Sequence, residues 1–369
     1  GLSTPVTSLD PHFHNLTPNN NVADHVFEKL VGKDAKEALK PLLAESWKTT
    51  NDTTWEFKLR KGVKWHDGTE FTAEDVIASI KRIPTVPNSP ASFATYTRPI
   101  KDISAPDKLT VRIVTERPHP LLPNDMVAVR IVPAKLAPTA KTEEFNSGKA
   151  MIGTGPYKFK EYVAGDRVVL ERNDAYWGSR PHWKTVRMRM ITNAPARVAA
   201  LLAGDVQMIE AVPTADSARL EKDARVTVSS AVSNRLIYLH MDSARDVSPF
   251  VTAKDGKPLE KNPFKDARVR KAVSLALDRN AIVSRIMEGQ AQPAGQLLPD
   301  FFPGTSKRLA PPNQDLDAAR KLLAEAGYPN GFAVTLHSPN NRYINDDKVA
   351  QAIAGMLTRA GIDPKLEAM

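Results

Sequence analysis

Two histidines one residue apart, His12 and His14, offer a metal-binding pair, and His66-Asp67 has the makings of an acid–base dyad. Neither pattern is completed. The H-x-H pair follows Asp10-Pro11 in a loop-like stretch with no third ligand at an evident spacing, so it reads as structural or solvent-facing. His66-Asp67 runs directly into Gly68-Thr69, a tight turn in which Gly68 supplies the positive φ that most residues avoid. Gly153-Thr154-Gly155-Pro156 lacks the third glycine and the following helix of a dinucleotide fingerprint, and Pro156 has no amide to offer a phosphate. The signatures G-x-S-x-G, the P-loop and H-E-x-x-H do not occur. With no cysteine, the chain has no thiol nucleophile, thiolate metal site or disulfide, although an oxidising compartment is permitted. These residues predict neither an enzyme nor a metal or cofactor protein.

The elements that hold these residues are well signalled. Trp55, Phe57 and Leu59 alternate with Glu56, Lys58 and Arg60, a half-buried strand. After the His66 turn, Thr72 with Asp75 three residues on makes a capping box that opens a helix over 73–82. Pro84, Pro87, Pro90 and Pro99 preclude a continuous helix beyond it, and residues 109–114 alternate as a strand. Towards the N-terminus, 17–21 reads as a polar loop and 22–30 as a helix capped by Asn21. Strands are predicted at 157–162 and 167–171 around a Gly165-Asp166 turn, and at 127–132, 207–210 and 235–241. Pro195 opens a helix that Gly204 closes. Helices follow over 267–277, 280–287, 317–326 and 346–360, with a strand at 332–337 and the start of another at 362–369.

Composition sets the outer limits. At 369 residues the chain is long for one core, and no apolar run approaches the roughly 18 residues that span a bilayer. The net charge of +9 is dispersed in ones and twos among acids, so no nucleic-acid surface is expected.

Five blocks carry a resemblance. The strand, WHDG turn and F-T-A-E-D-V helix within 43–82 come first. Gly153-Thr154-Gly155-Pro156-Tyr157 with Asn173-x-x-Tyr176-Trp177-Gly178, RVAALLAGDVQMIEA at 197–211, FKDARVRKAVSLALDRNAI at 264–282 and DLDAARKLLAEAGYPNG at 315–331 follow in order. This series resembles the family 5 extracellular solute-binding proteins of ABC importers, the oligopeptide-, dipeptide- and nickel-binding class. The resemblance implies an α/β fold of periplasmic-binding-protein type II, with two lobes, a hinge and an extra α+β domain. Residues 1–31 and 150–240 would form the first lobe, 32–149 the extra domain, and 241–369 the N-terminal part of a second lobe that is incomplete, the chain being truncated at its C-terminus relative to the family. Residues 235–241 would cross the hinge.

By the same resemblance the chain is a periplasmic, monomeric binding protein that captures short peptides by hinge closure and delivers them to membrane permease subunits. Relatives on this scaffold bind nickel chelates, glutathione, opines or oligosaccharides, and the fold also serves as the ligand-sensing domain of regulators. Export is implied although no signal peptide is present in the sequence, and if Gly1 lies near the mature start the chain, having no cysteine, would be free in the periplasm. Aligning the blocks places Asn19, Asn20, Phe93, Tyr96, Asn234 and Arg235 at the ligand. Arg130 aligns only loosely with a ligand-facing region and is not among them. Taken alone, Asn19 and Asn20 suit capping and turns better, Phe93 and Tyr96 ordinary packing, and Arg235 a solvated surface.

Overall fold

Helix α1 occupies Thr17–Val26, not 22–30, in a computed structural model that describes every residue except Ala35, Pro303 and Asn341. Pro18 lies in its first turn, where a missing N–H costs nothing and a fixed φ favours the helix. The polar run from Thr17 is therefore drawn into the helix and Asn21 caps nothing, while Phe27 leaves with extended backbone.

The chain divides into two compact units, Gly1–Ala211 and Val212–Met369. In the first, a hairpin of β1 (Val31–Lys33) and β2 (Leu39–Pro41) precedes a four-stranded antiparallel sheet. Its strands β3 (Ala44–Asn51), β4 (Thr54–Leu59), β5 (Ile100–Asp107) and β6 (Thr110–Thr115) lie in the order β3-β4-β6-β5. The period-2 pattern sets the register: Phe57 pairs with Val111, both fully buried, under Val76 and Ile80 of α2 (Ala73–Arg82). The capping box forms, Asp75 Oδ2 accepting the Thr72 N–H at 2.8 Å. Short helices α3 (Ala94–Thr97), α4 (Leu122–Asp125) and α5 (Thr142–Asn146) lead to a second antiparallel sheet, β7 (Tyr157–Val163), β8 (Arg167–Arg172) and β9 (Thr185–Arg189). That sheet shares a core with Val22, Val26, Phe27 and Phe145. Helix α6 (Ala194–Leu202) completes the unit, capped by Asn193 and closed at Gly204, whose φ is +82°.

Two predicted strands of this unit do not form. Residues 127–132 make a single bridge, Arg130 to Lys29. Among the described residues the backbone of 207–210 pairs only with Gly1, whose N donates to Met208 O at 2.7 Å and whose O accepts from Glu210 N at 3.2 Å, too short a contact for a ladder.

The second unit contains α7 (Thr214–Glu221), β10 (Val251–Thr252), α8 (Ala267–Ala276), α9 (Arg279–Ala281), α10 (Leu316–Glu325), β11 (Ala333–Ser338), α11 (Asp346–Arg359) and β12 (Asp363–Ala368). Strands β11 and β12 are parallel, joined through α11, with β10 antiparallel on the other side of β11. Val269, Ala272, Val273, Phe332, Met356 and Leu357 fill the core beneath them. Where an α-helix was predicted over 280–287, α9 opens into a π-helix at Ile282–Ile286, closed by the Met287 N–H on Ile282 O at 3.0 Å. Residues 235–241 form no strand: they have no ladder partner among the described residues, and Ile237 and Tyr238 are exposed.

Candidate functional site

The signature blocks bond to one another. His66 Nε2 donates to Gly155 O at 2.9 Å and its Nδ1 accepts the Gly153 N–H at 3.2 Å, which requires the neutral ring with its proton on Nε2. Burial, helped by the charge of Lys158, brings the imidazole down to about 4. Asn173 Nδ2 also donates to Gly155 O, and Gly155 N donates to Val26 O at the end of α1. A Cβ on Gly153 would lie 1.7 Å from Val26 O, so only glycine permits this approach. Tyr176 and Trp177 both donate to the buried carboxylate of Glu28, at 2.8 and 2.7 Å, and Arg60 lies 4.5 Å over the Trp177 ring. Burial raises the Glu28 carboxyl against the pull of these donors. The His66-Asp67 pair is thus a structural turn.

The loop ahead of α1 is held by a second buried network. Arg82 grips Asp10 with two bonds of 2.8 and 2.7 Å and donates to His12 Nδ1 at 3.0 Å, while His12 Nε2 donates to Arg130 O at 2.7 Å. Both His12 nitrogens are engaged, and burial beside the Arg82 charge lowers the ring to about 4. Asp10, though burial pushes it up, is held below its ordinary value by the Arg82 guanidinium.

Four of the six residues placed at the ligand by sequence lie in this first unit. Asn19 is buried, its Oδ1 accepting the Thr7 N–H at 2.9 Å and its Nδ2 donating to Thr7 Oγ1 at 3.0 Å, so it ties the loop to α1. Asn20 Nδ2 donates to Asn15 Oδ1 at 2.8 Å, and Asn15 Nδ2 reaches the Tyr96 hydroxyl at 3.3 Å, which draws Asn20 and Tyr96 into one partly exposed polar chain. Phe93 is buried, 6.3 Å from the Tyr96 ring and 5.8 Å beneath the Arg130 guanidinium. Arg130 and Lys29 share the partly exposed Asp24 carboxylate.

The other two lie in the second unit, where Asn234 and Arg235 are exposed in irregular chain. Arg235 lies 5.7 Å over the Tyr343 ring, and a second guanidinium, Arg342, approaches the same ring at 5.4 Å. Among the described residues neither guanidinium meets a carboxylate. Arg342 and Tyr343 were not singled out by sequence. The available signal was an Arg-Tyr pair in the connection between a strand and a helix, where functional side chains concentrate.

The model of the bacterial extracellular solute-binding proteins, family 5, middle region, matches residues 38–369. The chain belongs to that family. It is 32% identical over 368 residues to the glutathione-binding protein GsiB of Shigella boydii, covering 98% of this chain and 67% of that protein. Among solved structures it superposes on AgaA of A. tumefaciens R10, in complex with agropinic acid, with a TM-score of 0.78 and 29% identity. It superposes on DppA of Helicobacter pylori, in complex with the peptide STSA, at 0.81 and 26%. Each superposition covers all of this chain and 72% of the other. The fold is therefore α/β, of periplasmic-binding-protein type II, and the function is that of a family 5 solute-binding protein of ABC importers. Members of the family act in the periplasm or outside the cell. No helix among the described residues is long and apolar enough to cross a membrane.

Proposed function

We propose that this protein captures a peptide-sized solute bearing a carboxylate and delivers it, as a periplasmic monomer, to the permease subunits of an ABC importer. The observation that carries this reading is the pair of guanidiniums, Arg235 and Arg342, converging on Tyr343 with no acidic partner among the described residues. A guanidinium binds a carboxylate through two parallel bonds, and a charge-assisted bond is worth about 1.5–3 kcal/mol. The glutathione-binding relatives and the agropinic acid complex support the same solute chemistry. In this reading Asn234 supplies a neutral polar contact beside Arg235; in the first unit Asn20 and Tyr96 offer polar groups of their own, Phe93 supports Tyr96, and Asn19 fixes the loop. Binding requires no bond to be broken.

The test is calorimetric titration with glutathione, a short peptide, and the corresponding esters. The acids should bind more tightly than their esters, and Arg342→Gln or Arg235→Gln should weaken the acids about tenfold, the equivalent of one charged contact, while leaving the esters unchanged. Equal affinity for acid and ester, or no binding of either, would overturn the assignment.

A further inference from the structure

The unusual backbone of the second unit gathers at one place. Asn345 has a left-handed backbone, φ +56°, a conformation asparagine tolerates better than most residues. It occupies the N-cap position of α11, yet its side chain caps nothing there. Its Nδ2 instead donates to Ile286 O, the last carbonyl of the π-helix, at 2.8 Å, and to the Thr214 hydroxyl at the start of α7 at 2.9 Å. Its neighbour Asp346, buried, takes over at the helix start. Asp346 Oδ2 accepts the N–H groups of Arg342 and Tyr343 at 2.8 and 2.9 Å, and Oδ1 accepts that of Asp347 at 3.0 Å. The segment bearing Arg342 and Tyr343 is thus wrapped around one carboxylate, and Asn345 ties that wrap to two remote elements. π-Helical turns occur frequently at functional sites, and here the π-helix supplies the anchoring carbonyl.

We propose that Asn345 and Asp346 are positioning residues that hold the Arg342 guanidinium and the Tyr343 ring in place to receive the solute's carboxylate, with Arg235 on the same ring. This rests on the carboxylate-solute reading above. Without Asn345's two bonds the segment would retain the Asp346 contacts but lose its attachment to Ile286 and Thr214, and Arg342 would sample orientations in which it no longer shares Tyr343 with Arg235. Preorganisation of this kind raises affinity by removing an ordering cost from binding.

Asn345→Gly separates the bonds from the backbone strain, because glycine accepts positive φ freely. Two readouts apply: amide hydrogen exchange of residues 342–347 without solute, and the affinity ratio of glutathione to its ester. We expect exchange at Arg342 and Tyr343 to quicken and the acid to bind about tenfold more weakly, with the ester unchanged. Asp346→Asn, which keeps an acceptor, should give a smaller effect of the same sign and guards against a misfolded glycine variant. Unchanged exchange overturns the positioning role, as does quicker exchange with an intact acid-to-ester ratio. If the parent protein does not prefer the acid, the carboxylate reading fails and this role with it, and quicker exchange in Asn345→Gly would show that the failure lies in the solute assignment.

Discussion

Replacing Arg82 by methionine would leave the Asp10 carboxylate buried with its two guanidinium bonds gone and His12 Nδ1 without its donor. The Thr142 hydroxyl, at 2.8 Å, and the His12 N–H, at 2.9 Å, would remain on that carboxylate. Breaking a buried ion pair by removing one partner costs about 3–5 kcal/mol, because the other charge is stranded. Methionine keeps most of the packing against Phe145, over which the guanidinium now sits at 4.8 Å, so the loss is chiefly electrostatic. All five tryptophans, at 47, 55, 65, 177 and 183, lie in the first unit, so their emission follows its unfolding alone. With a urea slope of about 2.5 kcal/mol/M, a loss of about 4 kcal/mol moves the midpoint down by about 1.5 M. Adding Asp10→Asn should recover much of that loss, since it removes the stranded charge. The folded Asp10 carboxyl lies below its ordinary value, so the pair's contribution is complete above the unfolded pKa and is lost only as pH falls through the folded one. A midpoint shift under about 0.5 M, roughly 1 kcal/mol on that slope, or a double variant no more stable than the single, would refute this account of the network.

Acid should weaken the first unit in a defined window. His12 and His66 are held near 4 against about 6.5 when unfolded, so the unfolded chain takes up their protons first. Stability is then complete above about pH 6.5 and falls towards pH 4, by about 3 kcal/mol for each ring. His66→Gln should remove about half of that slope, and a urea midpoint that stays flat from pH 6.5 to 4.5 would contradict both placements. Gly153→Ala drives a methyl into Val26 O and should cost upwards of 3 kcal/mol, read as loss of the cooperative tryptophan transition, whereas alanine at Gly165, where a Cβ meets nothing within 4 Å, should cost only its backbone strain.

Local patterns carried far where one segment decides its own structure. Thr72 and Asp75 specify their helix because both halves of the capping box lie within one turn, and Trp55, Phe57 and Leu59 specify β4 because alternation is a property of the strand itself. The N-terminal helix was misplaced because Asn21 offered a plausible cap while Pro18, four residues after His14, offered a better start. Residues 235–241 have strand-like composition, but a strand also needs a ladder partner, which no local pattern supplies. Of the residues proposed to meet the solute, the sequence reading singled out Arg235 and not Arg342 or Tyr343, since their convergence joins segments more than a hundred residues apart. It selected Asn19 for its amide, and that amide is committed to Thr7.

The bonds among His66, Gly153, Gly155 and Asn173 have an implication for how such chains diversify. The hydrogen-bonding groups named here are spent on one another, so these four residues serve the frame of the first unit. Arg235 and Arg342 stand outside that lattice, and exchanging them would leave every signature block intact. Two chains could then share the whole legible signature and carry opposite cargoes, one acidic and one neutral, with the difference written in two surface side chains.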